Sequence, residues 1–221
     1  MLSLLAILVA VIVSGTQAPA DTPIFAVAYV EIMPSARTTA LAAFKQYRDT
    51  SRKDDGFTGF DLFEQVGQPG HFVIVERWAN AKASEAHTAT THAKEYRAKL
   101  DSIRLSDYDQ RPYKPLSVGV SPPTNTRSVY VVSHVDIGGQ ATNAPDLLRR
   151  LAEESRKQDG NLRFDVLQHN VRANHFTVIE GWQNQRALDA HIAAASTKEF
   201  RNTVGPLTGS PLDQRIFRAI D

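Results

Sequence analysis

The stretch SRKDDG at residues 51–56 returns as SRKQDG at residues 155–160, and HFVIVERW at 71–78 returns as HFTVIEGW at 175–182. A constant shift of about 104 residues relates the two halves without a gap over residues 51–114, and about 23 of those roughly 64 positions are identical. A period of this length is too long for a solenoid repeat and is typical of a small domain. The sequence therefore predicts two homologous domains of about 100 residues each.

Each copy contains the same order of predicted elements. In the first copy, a β-branched and aromatic run at 24–32 predicts a strand, and apolar residues at helical spacing predict a helix that ends at Gly56. Two alternating runs around a turn near Gly67 predict a hairpin, a second helix begins at Asn80, and a last strand covers 109–113. The second copy repeats this order.

The predicted order β-α-β-β-α-β is the ferredoxin-like arrangement, in which two helices cover one face of the sheet. The other face would be an exposed apolar surface in an isolated domain. We therefore predict an α+β protein in which two ferredoxin-like domains pack sheet to sheet as an intramolecular dimer with a pseudo-two-fold axis. A stretch rich in Pro, Ser, Thr and Gly joins the two copies, as expected for an extended linker.

The first twenty residues predict a secretory signal peptide. An apolar run of about 12 residues is too short to cross a bilayer comfortably, and Ala18-Pro19-Ala20 supplies small residues before Asp21. The amino-terminal region lacks Lys and Arg, so an uncleaved anchor or a different start site stays open as an alternative. The expected organisation is a signal peptide at 1–20, domains at 21–116 and 128–221, and a linker at 117–127. The expected location is the periplasm or the cell exterior, without stable membrane association after cleavage.

Composition excludes several classes of function. The formal net charge is +1 and no Lys- or Arg-rich run is present, so we predict no nucleic-acid partner. The chain contains no cysteine, which excludes disulfides, thiolate metal sites and thiol nucleophiles. Phosphate-binding glycine loops, nucleophile elbows and dinucleotide fingerprints are missing from the sequence.

A pattern shared by the two copies resembles the antibiotic biosynthesis monooxygenase family, a member of the dimeric α+β barrel superfamily. The pattern is a glycine after the first helix, an aromatic-Asp strand, an apolar strand that ends in Glu-x-Trp, and an Ala-His pair followed by a second His-aromatic stretch. The first copy carries it at Gly56, Phe60-Asp61, Glu76, Trp78, Ala86-His87, Thr91-His92 and Tyr96, and the second at Gly160, Phe164-Asp165, Glu180, Trp182, Ala190-His191 and Phe200. The resemblance implies an α+β barrel made by the two repeats.

The resemblance also implies a function, which is the oxidation of a small aromatic or quinol-type substrate by molecular oxygen without a cofactor. Relatives on the same fold degrade haem or bind small molecules, and fold alone does not choose among these activities. The alternative is therefore a non-catalytic protein that binds a hydrophobic ligand or haem, since histidine is the usual axial ligand of haem iron. The pseudo-dimer lies within one chain, and the sequence does not exclude a higher oligomer.

The candidate site residues are those that could deprotonate a phenol, hold its oxyanion or orient its ring. We expect them on the sheet face opposite the helices or at its rim. The predicted catalytic residues are Trp78, His87, Trp182, His191 and His134, and the predicted substrate-binding residues are Tyr29, Glu76, Glu180, Phe60, Phe164 and His92. Core packing of the tryptophans and structural roles for the histidines are the competing interpretations.

Two details of this set distinguish the copies. Tyr29 in the first strand aligns with His134 in the second copy, which indicates either one active and one degenerate pocket or simple drift after duplication. His92 follows His87 by five residues, which places the two rings on different sides of a single helix. No metal site is predicted from this pair, and the pocket of the second copy is predicted near Trp182, His191 and His134.

Overall fold

The computed structural model describes residues 22–138 and 143–220. The signal peptide predicted at 1–20 lies outside these ranges. Among the described residues, the helices are all too short or too polar to cross a membrane.

The described residues form fourteen main elements that follow the predicted order, with one additional helix in each copy. The first copy contains β1 (Ile24–Glu31), α1 (Arg37–Ser51), β2 (Phe57–Gln65), β3 (His71–Trp78), α2 (Ala81–Thr88), α3 (Thr91–Asp101) and β4 (Asp109–Ser117). The second copy contains β5 (Val129–Asp136), α4 (Ala144–Arg156), β6 (Asn161–His169), β7 (His175–Trp182), α5 (Gln185–Ala193), α6 (Ala195–Val204) and β8 (Asp213–Ala219). The structure extends β4 through Ser117, so the first residue of the predicted linker belongs to a strand.

The eight strands close into one barrel in the order β1-β3-β2-β8-β5-β7-β6-β4, and β4 pairs with β1 to complete the ring. The predicted α+β pseudo-dimer is confirmed, and the two sheets are also joined at their edges. The last strand of each copy makes this junction: β4 pairs with β6 of the second copy, and β8 pairs with β2 of the first. Closure leaves the ring of strands without a free edge.

The sheet has two buried faces with different neighbours. Alternate residues of β1, such as Phe25 and Val27, point into the barrel and pack against Tyr113, Tyr130 and other side chains from both copies. The intervening residues face the helices. The barrel interior is thus formed by the two sheet faces that the helices do not cover. Two further hydrophobic cores lie between the sheet and the helices, one in each copy.

The second helix of each copy is broken in two, where a single helix was predicted. In the first copy, Thr90 has extended backbone angles (φ −65°, ψ 156°) and its side chain accepts a hydrogen bond from Ala93 N. Thr90 therefore acts as the N-cap of α3, and the chain turns between Thr88 and Thr91. Ala194 has the same extended conformation between α5 and α6. The turn changes the direction of the chain just before His92.

In each copy, the glycine that precedes the hairpin packs closely against the helix that follows the hairpin. Gly56 has φ +76°, and a Cβ built on it would lie 2.6 Å from Ala83 Cβ in α2. We expect Gly56→Ala to lower the free energy of unfolding by about 2–4 kcal/mol, because left-handed strain and overpacking add. Gly67→Ala is the matched control, since Gly67 has φ +78° with open space around it, and should cost about 1–2 kcal/mol. Equal losses in urea unfolding would contradict the packing explanation.

Candidate functional site

The two Glu-x-Trp strands place their acid and indole under the helices. In β3, Phe72, Ile74, Glu76 and Trp78 share the face that packs on α1, α2 and α3, and the side chain of Trp78 is fully buried. The expectation that these residues lie on the sheet face opposite the helices is wrong. The register of β3 against β1 fixes this orientation, because Val73 and Val75 occupy the barrel side.

A buried polar cluster surrounds Trp78 in the first copy. Trp78 Nε1 donates to Glu76 Oε2 at 3.3 Å, and the Tyr47 hydroxyl lies 3.2 Å from Glu76 Oε1 and 2.6 Å from His87 Nε2. The His87 ring stacks on Trp78 with centroids 4.3 Å apart. On the other side of the ring, His87 Nδ1 lies 2.7 Å from Asp54 Oδ2. The cluster therefore links an indole, a carboxyl, a phenol and an imidazole in one hydrogen-bonded chain.

Local sequence positions each member of the cluster. Asn80 accepts a hydrogen bond from Ala83 N and starts α2, which carries His87 in its last turn. Asp54 lies in the turn after α1, where its N–H bonds to Ser51 O. His92 enters because of the turn at Thr90, and its Nε2 lies 3.0 Å from Asp54 Oδ2. Both histidines of the first copy thus meet the same carboxylate, contrary to the expectation of opposite helix sides.

Burial shifts the ionisation of the cluster towards neutral groups. Burial raises the pKa of Glu76 to about 7, although the hydrogen bonds from Tyr47 and Trp78 oppose the shift. Burial also lowers the pKa of His87, and the neighbouring Asp54 partly offsets this. With Nδ1–H donated to Asp54, we assign Nε2 as an acceptor, so it competes with Glu76 for the single proton of the Tyr47 hydroxyl.

A groove between α1 and α3 reaches the cluster from outside. Its volume is about 260 Å³, and Tyr47, His92 and Tyr96 form part of its wall. The rings of Tyr47 and Tyr96 are parallel, with centroids 3.8 Å apart and an interplanar angle of 6°. His92 and Asp54 keep about a fifth of their side-chain surface exposed. Because Tyr47 and Tyr96 are buried and stack on each other, a molecule in this groove would contact the His92 imidazole and only the small exposed part of the two tyrosine rings.

The second copy keeps the buried core of this arrangement. Trp182 Nε1 donates to Glu180 Oε2 at 2.9 Å, and His191 stacks on Trp182 with centroids 4.6 Å apart. His191 Nδ1 lies 2.8 Å from Gln158 Oε1, where the first copy has Asp54. The Glu-Trp-His unit is therefore common to both copies, but its carboxylate partner is not.

The groove of the second copy has the same size and a different wall. It lies between α4 and α6 with a volume of about 250 Å³. Leu151, Ser196 and Phe200 stand where the first copy has Tyr47, His92 and Tyr96. The second groove is therefore more apolar, and its Ser196 hydroxyl reaches the buried His191 through the neutral amide of Gln158 rather than through a carboxylate.

Tyr29 and His134 lie elsewhere. Both face one end of the barrel, where Arg111 stands 5.2 Å from the Tyr29 ring and 3.5 Å from the His134 nitrogens. The predicted grouping of His134 with Trp182 and His191 is wrong, because alternation along β5 puts His134 on the opposite face of the sheet. The ring of His134 instead approaches that of His175, with centroids 5.7 Å apart.

The predicted aromatic residues of β2 and β6 do lie beside the clusters. The Phe60 ring packs edge-on against Tyr47 at 6.1 Å, and the Phe164 ring packs edge-on against His191 at 5.6 Å. Sequence reasoning missed Tyr47 and Asp54. A signal for Asp54 was present, because it is the one position that differs between SRKDDG and SRKQDG, where the second copy has Gln158.

A separate charged cluster crosses between the copies at the other end of the barrel. Arg163 donates from Nη1 to Asp61 at 2.7 Å and from Nε to Asp165 at 2.6 Å, and Arg77 also bonds Asp61. The arginines occupy exchanged positions: Gly59 pairs with Arg77 in the first hairpin, whereas Arg163 pairs with Gly181 in the second. The cluster forms one wall of a cavity of about 730 Å³.

Glu180 should make the stability of the fold depend on pH. Burial raises the pKa of Glu180 to about 7, against the effects of Trp182 and Arg201. The folded state therefore binds this proton more tightly than the unfolded state, and stability falls as pH rises from about 4.3 to 7. We expect Glu180→Gln to remove this pH-dependent loss of stability. At pH 8 its free energy of unfolding should exceed that of the parent by about 1–3 kcal/mol. Melting temperatures from pH 5 to 9 measure it, with the exposed Glu199→Gln as the control. Parallel curves for parent and Glu180→Gln would contradict the prediction.

Comparison with known proteins agrees with this architecture. A family model described as antibiotic biosynthesis monooxygenase matches residues 23–99 and 137–203, one segment in each copy. The Bacillus subtilis (strain 168) protein named "Putative monooxygenase YcnE" is 33% identical over 82 residues, which are 37% of this chain and 86% of that protein.

Two solved structures resemble nearly the whole chain. A crystal structure described as a "Putative monooxygenase" from Fusobacterium nucleatum has a TM-score of 0.80 at 14% identity, over 90% of this chain and 93% of that chain. An "anthrone oxidase-like protein" has a TM-score of 0.74 at 11% identity, over 91% and 92% of the two chains. At these identities the likeness shows a shared fold.

Proposed function

Because the chain belongs to the antibiotic biosynthesis monooxygenase family, as a tandem duplication of its domain, we propose that it oxidises a small phenol or quinol with molecular oxygen and without a bound cofactor. We place the reaction in the groove of the first copy. The observation that carries this choice is the chain of ionisable groups from the groove wall to the buried core, through His92, Asp54 and His87. In the second copy, Ser196 and Gln158 replace two of these three groups.

Deprotonation of the substrate is the chemical step that the protein assists. His92 lies on the groove wall with its Nε2 3.0 Å from Asp54 Oδ2, and in this proposal it accepts the proton of a phenolic hydroxyl that enters the groove. Asp54 acts as a positioning residue that holds both imidazoles. His92 and the small exposed parts of Tyr47 and Tyr96 line the groove, and in this proposal they orient the substrate ring within a site of limited volume.

Oxidation follows from the phenolate itself. An electron-rich phenolate passes an electron to molecular oxygen, and recombination of the resulting pair forms a carbon–oxygen bond on the ring. For a phenol with a free para carbon, one oxygen atom enters the ring, the other leaves as water, and the product is a quinone. The buried groups behind the groove supply no electrons in this scheme, and they fix the position of His92 through Asp54.

Oxygen consumption tests the proposal. The chain from Asp21 onwards is incubated with a panel of phenols and quinols in the presence of EDTA, and oxygen uptake is compared with quinone formation by absorbance. We expect one oxygen molecule consumed per quinone formed. Uptake that requires added metal or flavin would contradict the cofactor-free proposal, and no uptake with any substrate would reject the activity for this panel.

Haem binding is the alternative, and the same samples test it. The histidines that would ligate haem iron, His87 and His191, both lie buried against a tryptophan ring. A Soret band that saturates at one haem per chain, without oxygen uptake on phenols, would favour the alternative. Uptake without a Soret band would favour the monooxygenase.

A further inference from the structure

We propose that Asp54, His87 and His92 form a binding site for a divalent transition-metal cation in the first copy. One ligand atom from each of the three side chains lies within 4.8 Å of the other two. The set of two imidazoles and one carboxylate is that of zinc sites and of mononuclear non-haem iron sites. The break between α2 and α3 brings the two histidines together, whereas a continuous helix would separate them.

The distances are close to those of a metal centre. Asp54 Oδ2 lies 2.7 Å from His87 Nδ1 and 3.0 Å from His92 Nε2. Ligand atoms that share one ion, each about 2.0–2.2 Å from it, are roughly 3–3.5 Å apart. Shifts of about 1 Å in the partly exposed Asp54 and His92 side chains would give this geometry. Asp54 lies in the turn after α1 and His92 lies in the first turn of α3. Both side chains are partly exposed, so they can make shifts of this size.

The surroundings also fit a cation. His87 is almost fully buried and its second nitrogen, Nε2, lies 2.6 Å from the Tyr47 hydroxyl, so an outer hydrogen bond fixes the ring. Glu76 lies 3.5 Å from the same nitrogen and adds a second acid behind the first ligands. Asp54 and His92 are each about one fifth exposed, which leaves a path for the ion and room for water ligands.

The second copy provides an internal comparison. Its corresponding residues are Gln158, His191 and Ser196, which offer one imidazole, a neutral amide and a hydroxyl. This set lacks the charge and the second nitrogen that a divalent transition metal prefers. We therefore expect one ion per chain. The proposal shares its residues with the proposed function, and metal binding would occupy the imidazole that accepts the substrate proton, so the cation is expected to inhibit turnover.

Cobalt titration of the EDTA-stripped chain tests the site independently of any activity. We expect visible ligand-field bands that saturate at one Co²⁺ per chain and disappear when Zn²⁺ displaces it. His92→Ser and Asp54→Gln each introduce the residue of the second copy, and each should weaken binding at least about 100-fold. The double variant Gln158→Asp/Ser196→His should bind two ions. The absence of saturable bands for the parent chain would overturn the proposal. A Co²⁺ affinity equal to that of the parent in His92→Ser and in Asp54→Gln would overturn it as well.

Surface histidines are the main source of false binding in this experiment. His169 and His175 lie near each other on the second copy, with ring centroids 6.5 Å apart, so His169→Ser is the matched control and should keep the bands. Loss of the bands in His169→Ser alone would reject the assignment to Asp54, His87 and His92. Cobalt binding by a chain that shows no phenol oxidation in EDTA, with no metal bound, would leave this site standing and reject the proposed function.

Discussion

Replacing Arg163 with methionine should cost the protein about 3–5 kcal/mol of unfolding free energy, because it leaves buried carboxylates without their counter-charge. The side chains of Arg163, Asp61 and Asp165 are 6%, 6% and 4% exposed. Methionine keeps most of the apolar stem, so little of the loss arises from a cavity. Arg77 still reaches Asp61, whereas Asp165 loses the guanidinium that bonds it. Urea unfolding of the parent and variant gives the number.

Arg215→Met is the control for this measurement. Arg215 pairs with Asp213 at 2.8 Å, but their side chains are 39% and 50% exposed, so the loss should stay below about 1 kcal/mol. Similar losses in the two variants would mean that burial does not set the cost. The Arg163–Asp61 bond joins residues of different copies and the Arg163–Asp165 bond lies within the second copy, so the measured loss is the sum of both.

His92→Ser should lower kcat for phenol oxidation by about 10²–10⁴-fold in the presence of EDTA, with a smaller effect on KM. This is the range for losing a general base. Serine is the residue of the second copy at this position, and His92 is partly exposed, so the fold should tolerate the change. Initial rates across substrate concentrations separate the two constants, and circular dichroism checks that the variant is folded.

The reciprocal variant Ser196→His serves as the control for this loss. It adds an imidazole to the groove that lacks Asp54, and turnover should stay within about twofold of the parent. If His92→Ser and His191→Gln each lower kcat only about twofold, the reaction takes place in both copies. If His191→Gln abolishes turnover and His92→Ser leaves it unchanged, the reaction takes place in the second copy alone. Either outcome would contradict the assignment to the first groove.

The repeated sequence was sufficient to predict the architecture. Strand patterns, the hairpins, the first helices and the pseudo-dimer follow from periodicity and from the need to cover two apolar sheet faces. The break at Thr90 was missed because a capping threonine within an alanine-rich run looks like ordinary helix until its backbone angles are known. The edge pairings β4–β6 and β8–β2 between the two copies were missed, because register between distant strands depends on tertiary contacts rather than on local sequence.

The candidate site was predicted in part. The Glu-x-Trp and Ala-His signals found Trp78, Glu76 and His87, and the structure brings these three together. Alternation gave the shared face of Glu76 and Trp78 but not which face it was, since both faces of this sheet are buried. In the sequence, Tyr47 fits the apolar face of the predicted first helix. A buried tyrosine in a helix carries no sequence signal for the partner of its hydroxyl.

The pairing of β4 with β6 and of β8 with β2, which joins the two halves, has a consequence for synthesis on the ribosome. While only the first copy has emerged, β2 lacks its neighbour β8 and β4 lacks its neighbour β6, so two sheet edges and one apolar face are open. The outer edge of β2 is covered only when β8, the last described strand, has been made. A nascent first half is therefore a substrate for chaperones or for pairing with another nascent chain, and a stop codon before Asp213 would damage both halves at once.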